Sequence, residues 1–106
     1  ITCNVFADHP HNSGHVPGTV NFVGRGECTA AVGSIDIVVG LFLGNRVVGS
    51  GGRVVPNTAS ASKNAAAPCV PGTYVGNTDV IFFAPPGYEP PAIRLVKDSA
   101  AVSLTC

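Results

Sequence analysis

Tryptophan and methionine are absent from this chain of 106 residues, and charge is scarce: Asp, Glu, Lys and Arg make up only 11% of it. The six cations balance the six anions. Arg25, Arg46, Arg53, Lys63, Arg94 and Lys97 are also dispersed, so the chain lacks the clustered positive surface that a nucleic-acid partner requires. No C-x-x-C pair occurs, which argues against a structural zinc site built from close ligand pairs. No G-x-S-x-G turn offers a hydrolase nucleophile, and no N-x-[ST] triplet offers a glycan acceptor. Long apolar runs are missing too. The best stretch, Ile35 to Leu43, is broken by Asp36 and Gly40 and is far too short to span a bilayer as a helix.

What remains is a small, weakly charged chain, rich in glycine and proline, with a mean hydropathy of +0.35. One domain covering residues 1–106 is expected, with a surface unusually neutral for a monomer. A core this size gains much from covalent staples, and Cys3, Cys28, Cys69 and Cys106 can supply two. Of the three connectivities, Cys3–Cys28 with Cys69–Cys106 is expected, because each pair closes a segment whose ends read as neighbouring strands. Each closure contributes roughly 3 kcal/mol. Disulfides imply an oxidising compartment, and the start at Ile1-Thr2-Cys3, without a charged and apolar leader, fits a secreted, processed chain.

Periodicity favours strands. Ile1, Cys3, Val5 and Ala7 alternate with Thr2, Asn4, Phe6 and Asp8, and a turn-rich loop runs from His9 to Gly18. Thr19 to Cys28 is extended, with Gly24 and Gly26 marking a bulge or bend. Ser34 to Leu43 places Ile35, Ile37, Val39, Leu41 and Leu43 on one face, and Gly44-Asn45 supplies a tight hairpin turn into Arg46-Val47-Val48. Gly49 to Pro68 reads as connector with one short edge strand. Val70 to Phe83 is again a strand, in which Phe82 and Phe83 point to opposite faces. After a proline-rich loop, Ile93 to Lys97 turns at Asp98-Ser99 into a last strand from Ala100 to Cys106. About seven short antiparallel strands joined by Gly/Pro turns predict an all-β, immunoglobulin-like β-sandwich, without the antibody cysteine–tryptophan signature.

The strings Pro10-His11-Asn12-Ser13-Gly14-His15-Val16-Pro17-Gly18-Thr19-Val20-Asn21, Cys69-Val70-Pro71-Gly72-Thr73-Tyr74, Pro85-Pro86-Gly87-Tyr88-Glu89-Pro90 and Thr105-Cys106 resemble small secreted actinobacterial proteins. The resemblance implies secretion and a disulfide-bonded β fold; it brings no catalytic or binding residue with it.

Three candidate chemistries stand beside structural readings. His9, His11 and His15 share one loop that could curl around copper or zinc; equally, Asn12, Ser13 and Gly14 could fold it as a plain turn. Enzymatic activity is not expected, because all cysteines are committed to disulfides and no acid pair is spaced for acid–base work. Pro86, Tyr88 and Glu89 lie in a stiff loop suited to protein contact, although Tyr88 could instead fold back as a corner tyrosine bonded to backbone. The leading expectation is a secreted non-enzymatic module that presents rigid loops, and a neutral sheet face, to a protein partner or to itself. A metal-binding protein and an inhibitor of a foreign hydrolase are the alternatives.

Overall fold

The computed structural model describes residues 1–106, and its seven strands make up 73% of the chain. They are β1 (Cys3–Ala7), β2 (His11–Asn12), β3 (Thr19–Leu43), β4 (Arg46–Pro68), β5 (Gly72–Phe83), β6 (Ala92–Asp98) and β7 (Val102–Leu104). All pairings are antiparallel and all seven strands join one sheet, curled into a half-barrel. The expected all-β class and both disulfides, Cys3–Cys28 and Cys69–Cys106, are present. The immunoglobulin-like sandwich is not confirmed, because no strand belongs to a separate second sheet.

The reason lies in two long strands. β3 has 25 residues, which at a rise of about 3.3 Å per residue would reach roughly 80 Å if straight. The longest extent of the molecule is 49 Å, so the β3–β4 hairpin has to bend over on itself. The bend falls where the register slips between Glu27 and Val32, opposite Thr58 to Ser60, with Asn57 at φ 50° nearby. The first half of β3 pairs with β1, β2 and the end of β4; the second half pairs with the start of β4 and with β5. Cys28 sits at the bend and faces its cross-strand partner Cys3.

Folding over turns the inner faces of the two halves towards each other, and glycine governs how closely they meet. A Cβ on Gly76 would lie 2.2 Å from the Phe22 ring, and one on Gly26 would lie 3.1 Å from Phe82 and Val80. Large side chains of one half therefore fill hollows left by glycines of the other. Gly24 likewise receives Thr78, whose buried hydroxyl has no hydrogen-bond partner. Along β4 the approach is closer still. Cβ atoms on Gly49 and Gly51 would strike the backbone oxygens of Ala66 and Asn64 at 2.6 and 2.8 Å. The core of Val20, Phe22, Ile35, Ile37, Val39, Leu41, Tyr74, Val80 and Phe82 lies between the halves.

Several local expectations shift accordingly. Gly24 and Gly26 make no bulge; the register is unbroken from Thr19 to Glu27, and the irregularity follows it. Gly49 to Pro68 is not a connector but most of a 23-residue strand. Its small residues concealed the strand, since they are selected for close approach and not for alternation. β6 and β7 do not pair with each other: both lie along β5. Between them Ser99 takes a rung of the ladder, its N–H donating to the Gly76 carbonyl oxygen (2.7 Å) and its hydroxyl accepting from the Gly76 N–H (2.8 Å). The hairpin turn at Gly44, with φ 61°, is where it was expected.

If glycine hollows set the spacing of the halves, Gly76→Ala should cost about 1–3 kcal/mol, as overpacking of a tight core does. Urea denaturation reads this directly, and an unchanged midpoint would contradict the packing described.

Candidate functional site

The loop from Ala84 to Pro91 is rigid for reasons visible residue by residue. The Ala84 N–H donates to the Pro91 carbonyl oxygen (2.9 Å), which closes its base. At its tip the Tyr88 N–H donates to the Pro85 carbonyl oxygen (3.3 Å), across Pro86 and a Gly87 with φ 89°. Proline followed by a left-handed glycine is the pattern of a type II turn. The Glu89–Pro90 peptide bond is cis.

This loop overhangs an apolar pocket of about 90 Å³, lined in part by Ile1, Val32, Phe82, Tyr88, Glu89 and Ile93. Phe82 is core at its floor, and Tyr88 is half exposed at its wall. Pockets for whole small-molecule ligands run to about 300–1,000 Å³. The space here suits a single apolar side chain. Of the residues singled out in sequence, Tyr88 and Glu89 line the pocket, whereas Pro86 shapes the turn beside it. Ile1, Val32 and Ile93 were not foreseen, because they reach the pocket from three separate parts of the chain.

The corner tyrosine is Tyr74, not Tyr88. The buried Tyr74 hydroxyl donates to the Val70 carbonyl oxygen (2.6 Å) and accepts from the Val70 N–H (3.0 Å). The Tyr88 hydroxyl makes no hydrogen bond within the chain, and the residue is 51% exposed. The spacing of Tyr74 from the half-cystine at Cys69 and the turn at Pro71-Gly72 was the available clue.

The histidine loop is held by side-chain to backbone hydrogen bonds. The Ser13 hydroxyl accepts from the backbone N–H groups of His15 and Val16 (3.2 Å each), and the Thr19 hydroxyl donates to the Val16 carbonyl oxygen (2.7 Å). His11 joins β2, its Nδ1 lying 3.3 Å from the His9 carbonyl oxygen. Asn12 does not cap this turn; its amide donates to the Thr105 carbonyl oxygen (3.1 Å) and ties the loop to the segment ending in the Cys69–Cys106 disulfide. His9, His11 and His15 are not drawn together, and no three His, Cys, Asp or Glu side chains are placed to hold one metal ion.

A second exposed surface is the outer face of the second half of the sheet. Val54, Val38 and Val96 are more than half exposed there, and Phe83 stands out as Phe82 turns in. Register places Asp79 between Val38 and Val96. Arg94 grips it with two hydrogen bonds, the first from Nε to Oδ1 at 2.9 Å. Those bonds lower the pKa of the Asp79 carboxyl from its ordinary value; burial opposes them, and the guanidinium charge adds a smaller pull in the same direction as the bonds.

The geometry defines a disulfide-bonded, single-sheet β domain with a rigid proline loop over a one-residue pocket. No protein-family model matches the chain, and no curated protein matches it. Among solved structures, one similar chain is a solution structure of a protein provisionally classed as late embryogenesis abundant. That overlap has a TM-score of 0.46 at 14% identity and covers 97% of this chain and 71% of the other. No helix is long and apolar enough to cross a membrane.

Two predictions test the local chemistry. Tyr74→Phe should cost about 1–2 kcal/mol, because it strands the Val70 backbone groups, while Tyr88→Phe should leave the denaturation midpoint unchanged. Arg94→Gln should raise the Asp79 titration midpoint towards the ordinary carboxylate value in carbon-detected NMR. With the folded carboxyl depressed, the pair's small stabilisation is complete above the unfolded carboxyl's value. It fades as pH falls through the folded one.

Proposed function

We propose that this chain is a secreted, non-enzymatic binding module that holds the Pro85–Pro91 loop and its pocket ready for a protein partner. The observation that supports this most directly is the combination at Tyr88: an exposed aromatic ring, fixed by a turn with a closed base, beside a hollow large enough for one apolar side chain. An anchor that is rigid before binding loses little entropy on contact, and aromatic anchors next to pockets carry much of the energy of protein interfaces. Secretion belongs to the same reading. Two disulfides support it, since they suit an oxidising compartment, and the resemblance to small secreted actinobacterial proteins points the same way.

A stiff aromatic beside an apolar hollow is the chemistry of contact, which supports the binding reading. The exposed valines around the Asp79–Arg94 pair offer an additional neutral face, through which copies of the chain could assemble.

The test compares the wild-type chain with Tyr88→Ala and with Val38→Thr as immobilised baits in the producing organism's culture fluid, followed by affinity measurement on the purified partner. A partner bound by the wild type and by Val38→Thr, but at least about tenfold more weakly by Tyr88→Ala, is the expected result. A partner indifferent to Tyr88, or light scattering showing a monomer at every concentration with nothing captured, would refute the proposal.

A further inference from the structure

The two halves of β4 touch at Gly49 and Gly51 and then part, leaving a trough made of two adjoining clefts of about 430 and 270 Å³. Both clefts are lined by Arg53 and Ser62; the first adds Lys63 and Asn64, and the second adds Arg25, Glu27 and Ser60. Arg25 is already answered. Its guanidinium lies 3.3 Å from each of the Asp8 and Glu27 carboxylates and stacks over the Phe6 ring at 4.9 Å. Arg53 and Lys63 have no carboxylate within ion-pair distance, and they are the unanswered cations of the trough. Lys63 is positioned by its stem, which crosses Gly51 so closely that a Cβ there would lie 2.9 Å from Cε.

The strand that builds this trough is also an edge. β4 pairs only with β3, and no backbone hydrogen bond joins residues 46–68 to any other element. Away from Gly49, Gly51, Asn64 and Ala66, where its two halves touch, and from Pro56, which has no N–H, its other row of N–H and C=O groups is a template for a further strand. Arg46, Arg53 and Lys63 are the charged residues of β4, with no acid among them. A second copy pairing through β4 would bring these cations to its own kind, which disfavours self-addition. A strand bearing carboxylates would meet complementary charge and free backbone groups together.

We infer that the β4 trough receives an extended acidic peptide segment of a partner protein, whose carboxylates face Arg53 and Lys63 while its backbone runs along the β4 edge. This surface is distinct from the Tyr88 loop, and its test is independent of that reading.

The probe is a short synthetic peptide alternating glutamate and valine, titrated into the intact chain and followed by amide NMR shifts and calorimetry. Expected are shifts centred on Arg53 to Asn64, weakening with added salt, and an affinity at least about tenfold lower for Arg53→Gln and Lys63→Gln. Arg46→Gln, at the hairpin turn, should behave as wild type, and circular dichroism verifies that each variant is folded. Equal binding by both trough variants would overturn the inference. So would equal binding of a lysine–valine peptide, no binding of the acidic one, or displacement by inorganic phosphate at matched concentration. Binding unaffected by Tyr88→Ala keeps this outcome separate from that of the proline loop.

Discussion

The close approach of two inward-facing surfaces, set by glycine opposite bulk, is the constraint on which the rest of this molecule depends. Stacked sheets ordinarily sit about 10 Å apart because side chains from both fill the gap. Here Gly76 receives Phe22, Gly26 receives Phe82, and Gly49 and Gly51 admit the β4 backbone itself. The same closeness buries Ile35, Ile37, Val39 and Leu41 without a tryptophan or methionine, once the hairpin has bent over on itself. Cys3–Cys28 fastens the chain at that bend, so one covalent link and one packing rule act at the same place.

Much of this was legible in order, and the failures have physical causes. Ser34 to Leu43 declared itself through branched residues at every second position, and the cysteine pairing followed from strand neighbours. β4 did not declare itself, because alternation signals a face between core and solvent. Gly49-Ser50-Gly51-Gly52 and Ala65-Ala66-Ala67 instead answer to a backbone lying directly across from them. The union of all strands into one sheet was hidden for the same reason: it turns on β3 and β4 passing through the bend unbroken, and no single residue there announces continuity.

The candidate site divides along similar lines. The stiffness of the Pro85–Pro91 loop could be read from its prolines, but the pocket beneath it could not, since Ile1, Val32 and Ile93 converge only after the sheet curls. The corner role expected of Tyr88 falls instead to Tyr74. Tyr74 lies within reach of its own upstream backbone at Val70 and is consumed by structure, while Tyr88 is carried outward by a turn whose bonds are complete without it. In the histidine loop the backbone is organised by Ser13, Thr19 and Asn12, bonds that the histidines themselves did not announce.

That β3 and β4 run without a break through both halves has a mechanical meaning. The halves are joined by the strands themselves and not by a linker, and the one interruption of the β3–β4 ladder at the bend, between Glu27 and Val32, lies beside the Cys3–Cys28 disulfide. Packing of Phe22 at Gly76 and of Phe82 at Gly26 holds features borne on different halves at a set distance and angle, like marks on a single ruler. A partner shaped to engage two of them at once would find the second already in place when the first is made, with no domain motion to suppress.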